Sequence, residues 1–142
     1  MNCSSPPFTD RARRALQRAD AERERLGHQV LTAQHLAWAL LAEQGSVAML
    51  VLRQLSFDLS ILAKRLGPEW HTTGPAKVGD EDPVAAAVQS ARALGHASVD
   101  TAHLLLGLLR TDSRVSKVLR AEGVTYAAAT EATVRCWTRA VG

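Results

Sequence analysis

The sequence predicts an all-α domain, and three observations support this fold class. Alanine, leucine and arginine are the most frequent residues, and alanine and unbranched side chains lose little rotamer freedom in a helix. Only 4% of the 142 residues are aromatic, and β-branched residues, which favour strands, are sparse. Apolar residues recur at the spacing of amphipathic helices. With 46% hydrophobic residues, the chain can form one domain with a single core.

The first half of the chain predicts four helices. Thr9 caps the first helix, and Gly27 stands at its expected end. Thr32 precedes a second helix that is apolar almost all round, which is typical of a helix in the centre of a bundle. A third helix follows at helical spacing, and Asp58 caps a fourth that stops at Gly67.

A linker separates this half from the next. Residues 67–82 hold three glycines, two prolines and a closing acidic cluster, which favours a linker over a helix. Residues 1–7 contain two serines and two prolines and are expected to form a flexible tail. One domain then covers residues 8–142, with a first repeat over 8–66 and a second over 83–138.

The second half repeats the first at a nearly constant interval. Leu26-Gly27-His28 recurs as Leu94-Gly95-His96, which is 68 residues later. His35-Leu36 recurs as His103-Leu104 at the same interval, which becomes 67 after a one-residue deletion. Because each repeat offers a similar apolar face for the other to cover, we expect two four-helix repeats in a pseudo-twofold helical bundle.

The opening Phe8-Thr9-Asp10-Arg11-Ala12-Arg13-Arg14, followed by Leu26-Gly27-His28, resembles the amino-terminal double repeat of the Clp family of AAA+ unfoldases, especially the ClpC type. The resemblance extends from about residue 8 to residue 138. It implies a helical domain that, in its relatives, lies on top of an ATPase ring and receives substrates and adaptor proteins. The sequence contains no GxxxxGK[ST] phosphate loop, so we expect no unfoldase activity from these residues alone.

The resemblance also suggests a binding surface. Its candidate peptide-binding or adaptor-binding residues are Phe8, Arg11, Gln34 and Ala102. The family motif GTEH, whose Glu helps some members to bind phosphorylated arginine, here becomes Thr32-Ala33-Gln34-His35 and Asp100-Thr101-Ala102-His103. Both carboxylates are therefore replaced, and neither replacement is the charged bidentate acceptor that a guanidinium group prefers.

The second repeat departs from the family at its opening. Residues 76–82, with the sequence AKVGDED, stand where the family carries FTPRAKK. The first helix of this repeat is therefore predicted to be shorter. In some relatives this opening contributes to the surface that binds adaptors and cyclic-peptide antibiotics, so we expect that surface to be altered or more open here, with Phe8 as a remaining apolar anchor.

Other residues that suggest chemistry are better explained structurally. Histidines pair as His28 with His35 and His96 with His103, but no Cys, Asp or Glu stands at reliable ligand spacing, so we predict no metal site. A histidine three residues into a helix can close its cap, and the other can bond to loop backbone. Neither GxSxG nor a flanked cysteine nucleophile occurs, which predicts no enzyme and no cofactor. Cys136 is expected to be a small buried hydrophobe.

The charge pattern and the cysteines indicate which class of partner and which cellular compartment to expect. The net charge is +3 with a pI of about 9.3, but acids and bases are interspersed, which favours a solvated helix face over a nucleic-acid surface. Cys3 and Cys136 lie near opposite ends with no secretory signal before them, so a reduced, cytoplasmic setting is expected. No segment approaches the roughly 18 apolar residues of a membrane span.

Two functional hypotheses follow from these observations. The leading one is a stand-alone Clp amino-terminal-type domain that binds Clp-system substrates, adaptors or unfoldase subunits as an accessory, competitor or decoy. The alternative is a small basic all-α nucleic-acid-binding regulator that uses the arginine-rich first helix. Trp70 in the linker either contacts a partner or folds back over a groove.

Overall fold

The structure is a computed structural model that describes residues 7–72 and 82–141. This part of the chain forms eight α-helices, one 3-10 turn and a single isolated β-bridge, so the predicted all-α fold is confirmed. The first repeat comprises α1 (Asp10–Arg25), α2 (Ala33–Leu41), α3 (Val47–Gln54), α4 (Ile61–Leu66) and the 3-10 turn Trp70–Thr72. The second comprises α5 (Pro83–Ala93), α6 (Thr101–Arg110), α7 (Arg114–Ala121) and α8 (Tyr126–Val141).

Capping residues explain where the helices begin. The Thr9 side chain accepts a hydrogen bond from the Ala12 amide at 3.2 Å and thereby starts α1. Thr32 and Asp100 start α2 and α6, and each forms a capping box with the histidine three residues later. Both histidine caps were predicted from the sequence, and both are confirmed.

Helices α2 and α6 lie at the centre of the core. Leucines on both helices are fully buried in one hydrophobic cluster that spans the two repeats: Leu36, Leu40, Leu104, Leu105, Leu106 and Leu108. Helix α6 contacts α1, α2 and α3, and α3 also packs against α8. Each repeat therefore covers the apolar face of the other. The stability of each half thus depends on its packing against the other half.

An N-terminal clip, defined here as residues 7–9, ties the start of the first repeat to the second. Val99 donates its amide to the Pro7 carbonyl at 2.8 Å, and the Thr9 amide donates to the Val99 carbonyl at 3.0 Å. These bonds form the parallel bridge between Phe8 and Val99. Pro7, assigned to the flexible tail from its sequence, is therefore held in place, and residues 1–6 lie outside the described part.

The two repeats differ at both ends. Helix α5 has 11 residues against 16 for α1, as the missing opening predicts. Helix α8 has 16 residues and runs past the predicted boundary at residue 138, whereas the first repeat stops after the six residues of α4 and continues into the Trp70–Thr72 turn. The predicted linker thus contains an ordered turn, in which Trp70 is only 4% exposed. The rest of the predicted linker, residues 73–81, lies outside the described residues.

Candidate functional site

The first turn of α1 presents a half-exposed cation beside the clip. Arg11 Nη1 lies 3.5 Å from the Glu43 carboxylate, and Arg14 lies 3.3 Å from the same oxygen. Glu43 is only 6% exposed, whereas the Arg11 side chain is 47% exposed. Phe8 is partly buried against the core. The structure therefore brings two of the sequence-predicted residues, Phe8 and Arg11, to one corner of the domain.

The other two predicted residues have different surroundings. Gln34 donates a hydrogen bond from Nε2 to the Trp70 carbonyl at 2.9 Å, so its amide helps to hold the 3-10 turn on α2. Ala102 follows the α6 cap that the Thr9 hydroxyl contacts, but it is completely buried. Ala102 therefore cannot contact a partner in this conformation, and we leave it out of the candidate surface because it faces the core.

Each repeat contains a pair of histidines, of which one is buried and the other half-buried. The Thr32 amide donates to His35 Nδ1 at 3.0 Å, so in its neutral form His35 carries its proton on Nε2 and donates to His28 Nδ1 at 2.8 Å. The second repeat has the same 2.8 Å bond between His96 and His103. The first histidine of each pair thus bonds to its partner ring, where the sequence suggested loop backbone.

Burial controls the protonation of these pairs. Removal from water lowers the pKa of His35 to about 4, and the nearby His28 adds to the effect. Burial likewise lowers the pKa of His103 to about 4, with a contribution from His96. Both rings are therefore neutral at pH 7, and their nitrogens are used in caps and in the histidine pair. No group of three or more potential metal ligands occurs in residues 7–72 and 82–141.

A second cluster fixes the Trp70–Thr72 turn, and sequence reasoning missed it. His71 stacks on the Trp38 indole with ring centroids 5.1 Å apart, and its Nε2 lies 2.9 Å from the Glu22 carboxylate. Arg25 also bonds to Glu22, at 2.8 and 2.6 Å. The Arg25 bonds, followed by the weaker effect of His71, lower the pKa of Glu22 to about 2 despite burial, which opposes the shift.

The repeat interval carried a signal for this cluster. An interval of 67 pairs Trp70 with Trp137 of α8. The Trp137 ring stacks on the His96 ring with ring centroids 4.3 Å apart. Trp70 is thus the first repeat's counterpart of Trp137, and it is buried in the core, so folding back, one of the two alternatives for this residue, is what the structure shows. Cys136, next to Trp137, is 2% exposed, as predicted.

The arginines of α1 are largely neutralised within the domain. Arg13 pairs with Asp10, Arg23 bonds to Asp20 at 2.8 Å, and Arg25 bonds to Glu22. Arg11 and Arg14 share Glu43, as described above. Because these cations already face carboxylates, α1 does not present the concentrated positive surface that phosphate neutralisation requires. The nucleic-acid alternative gains no support from this geometry.

Among the described residues, none of the helices combines the length and the apolar character that spanning a bilayer demands.

Comparison with known proteins agrees with this architecture. The family model "Clp repeat (R) N-terminal domain" matches residues 7–85 and again residues 81–141. The N-terminal domain of Hsp104 from Candida albicans superposes with a TM-score of 0.62 at 15% identity, covering 90% of this chain and 89% of that one. The N-terminal domain of ClpD from Arabidopsis thaliana gives a TM-score of 0.60 at 22% identity, covering 95% of each chain. At these identities the two structures establish the fold.

Curated relatives are similar in sequence over most of this chain. A probable ATP-dependent Clp protease ATP-binding subunit from Chlamydia pneumoniae is 36% identical over 79% of the chain, which covers 14% of the relative. ClpC/MecB from Bacillus subtilis, a negative regulator of genetic competence, is 32% identical over 82% of the chain and 15% of its own length. The chain thus spans about one seventh of these relatives. With both halves matched by the family model, the chain belongs to the Clp repeat N-terminal domain family.

Proposed function

We propose that this domain binds proteins or peptides of the Clp unfoldase and protease system without catalysing a reaction itself. The observation that carries the proposal is that both halves match the Clp repeat and fold as a complete pair of repeats. Clp N-terminal domains bind substrates and adaptors for their unfoldases. These 142 residues contain the repeats but no phosphate loop. The domain therefore acts by binding a partner and so blocking its binding site, and not by unfolding it.

The domain acts as an accessory, a competitor or a decoy. By presenting a surface similar to that of a full-length unfoldase, it captures adaptors, substrates, unfoldase subunits or cyclic-peptide antibiotics that would otherwise occupy the unfoldase's own domain. We place this action in the cytoplasm, the reduced setting that the two cysteines favour. Phe8 and the half-exposed Arg11 are the proposed contacts.

Affinity capture from a lysate of the source organism tests the proposal. The tagged wild-type domain is expected to retain Clp subunits, adaptors or protease clients at moderate ionic strength, identified by mass spectrometry. Arg11→Gln should retain less of them, because the exposed charge is lost while Arg14 still neutralises Glu43. Arg18→Gln is the matched control, since Arg18 is an exposed residue farther along the same helix.

Recovery of no Clp component, or of nucleic acid alone with steep salt dependence, would reject occupancy of Clp partners and favour the regulator hypothesis.

A further inference from the structure

The N-terminal clip fills a backbone slot on the second repeat. Val99 offers both its amide and its carbonyl to residues 7–9, at 2.8 and 3.0 Å. The Thr9 hydroxyl adds a bond to Asp100 Oδ1 at 2.7 Å, and Val99 is fully buried beneath the clip. A single loop residue before α6 thus holds an extended segment through the two hydrogen bonds of a parallel β-bridge.

The first repeat has the same slot. The 68-residue interval pairs Val99 with Leu31 and Asp100 with Thr32. Thr32 (φ −119°, ψ 173°) and Asp100 (φ −110°, ψ 179°) share one backbone conformation, and both form capping boxes with a histidine. The residues that precede α2 and α6 therefore present equivalent backbone groups.

This slot has no occupant within the described residues. In residues 7–72 and 82–141, neither the amide nor the carbonyl of Leu31 has a hydrogen-bond partner. Leu31 is only partly buried, in contrast to Val99, and its neighbour Val30 is 43% exposed. A backbone amide and carbonyl without hydrogen-bond partners on one partly buried residue, beside the exposed Val30, form a template for an added extended strand.

The corresponding sequence positions of the second repeat lack the side chains of the clip. At the same interval, Pro7-Phe8-Thr9 corresponds to Pro75-Ala76-Lys77, which has neither the aromatic ring nor the hydroxyl. The residue that corresponds to Asp10, the first of α1, is Val78, but α5 begins at Pro83. The aromatic ring and the hydroxyl of the clip are therefore absent from the corresponding sequence positions of the second repeat.

We infer that Leu31 is a docking point for an extended segment of a partner protein that carries an aromatic residue followed by Ser or Thr. Phe8 and Thr9 fill the equivalent slot at Val99, and they indicate which side chains the partner segment carries. Its backbone forms a parallel bridge with Leu31, its hydroxyl reaches Thr32, and its ring covers Val30. This inference rests on the proposed function and specifies the kind of segment that the domain recognises.

The probe is the acetylated, amidated peptide Pro-Pro-Phe-Thr-Asp, which has the sequence of residues 6–10. Titrated into the isotope-labelled chain, it should shift the NMR amide signals of residues 30–32. A peptide with N-methylated threonine lacks the amide that donates to the Leu31 carbonyl and should bind about tenfold more weakly, as expected for one lost hydrogen bond. The peptide Pro-Pro-Ala-Lys-Asp replaces Phe and Thr by the Ala and Lys of the second repeat, and it should also bind more weakly.

Three results would overturn the inference. They are an absence of shifts at residues 30–32 at millimolar peptide, equal affinity for the N-methylated peptide, and shifts centred on Val99, where the probe would merely exchange with the clip. Leu31→Pro, which removes the amide donor, should abolish binding. If circular dichroism shows that this variant is unfolded, the N-methylated peptide decides the question without altering the protein.

The two proposals can fail separately. If lysate capture retains Clp components but the probe does not bind, the slot is rejected and another surface carries the proposed function. If the probe binds at residues 30–32 but capture retains no Clp component, the slot stands and the Clp partnership is rejected.

Discussion

The buried histidines His35 and His103 combine two structural tasks in one ring. Each accepts the amide of its helix's N-cap residue and donates to a second histidine 2.8 Å away. Glutamate or glutamine ordinarily closes such a box, so histidine adds a group whose ordinary pKa lies near neutrality and which burial here shifts to about 4. Because protonation would remove the acceptor on Nδ1, the cap requires the neutral ring.

Folding stability should therefore fall on acidification. The folded-state pKa of each histidine is about 4, below the unfolded value of about 6.5, so below pH 6.5 the unfolded chain binds protons that the folded chain does not. The free energy of unfolding should drop by up to about 1.4 kcal/mol per pH unit for each histidine between pH 6.5 and 4.5. Urea denaturation across this range measures the drop.

The double variant His35→Gln with His103→Gln provides the control. Glutamine can close the capping box but does not titrate, so the slope should flatten above pH 4.5. An unchanged slope would show that other groups cause the acid sensitivity.

Gly107 marks the closest approach of α5 to α6. A Cβ at this position would lie 2.1 Å from the Pro83 carbonyl oxygen and 2.8 Å from the Ala87 amide nitrogen. Gly107→Ala should lower the free energy of unfolding by about 1–3 kcal/mol, because overpacking outweighs the better helix propensity of alanine. Gly45→Ala, whose Cβ meets only the flexible Arg11 side chain at 3.5 Å, should be nearly neutral. Equal Tm values for the two variants would contradict this packing.

Individual side chains were predictable where local geometry determines them. The capping roles of His35 and His103 follow from their distance to the preceding cap residue. The burial of Ala102 and the bond from Gln34 to the Trp70 carbonyl depend on tertiary packing, which spacing along the chain does not encode.

The Trp70–Thr72 turn behaves as an extension of the first repeat. It follows the break at Gly67, whose φ is 101°, and it packs through His71 onto Trp38 and Glu22. Its glycine-rich and proline-rich context predicted a linker because composition reports local flexibility but not the anchoring of one aromatic residue. The family alignment helps here, since its first match extends through this segment to residue 85.

Glu22→Gln should loosen this turn. The substitution removes the charge that faces Arg25 and His71, so we expect a loss of about 1–3 kcal/mol in stability and a red shift of tryptophan fluorescence as Trp70 becomes hydrated. Glu24→Gln, at a side chain 69% exposed on the same helix, is the matched control and should change neither quantity. A native emission spectrum in Glu22→Gln would argue against this anchoring.

Because the two repeats share one core, we expect the domain to unfold as one cooperative unit. The clip joins the start of α1 to the loop before α6, and α3 packs between α6 and α8. The internal repetition made this arrangement predictable from sequence, whereas the clip itself was not, since a single β-bridge leaves no periodic pattern.

Urea unfolding should therefore show one transition. Fluorescence of the Trp137→Phe variant reports the first repeat through Trp38 and Trp70, and far-UV circular dichroism reports all helices. Their midpoints should coincide, whereas an earlier fluorescence transition would show that the repeats unfold independently.

Competition with a full-length unfoldase shows whether this domain binds Clp partners. Degradation of an adaptor-delivered client by a full-length ClpC-type unfoldase and its protease is measured while the purified domain is titrated in. We predict that excess domain slows degradation, and that Arg11→Gln slows it less than Arg18→Gln does. An unchanged degradation rate at saturating domain, with no adaptor or client bound to it, would contradict the account.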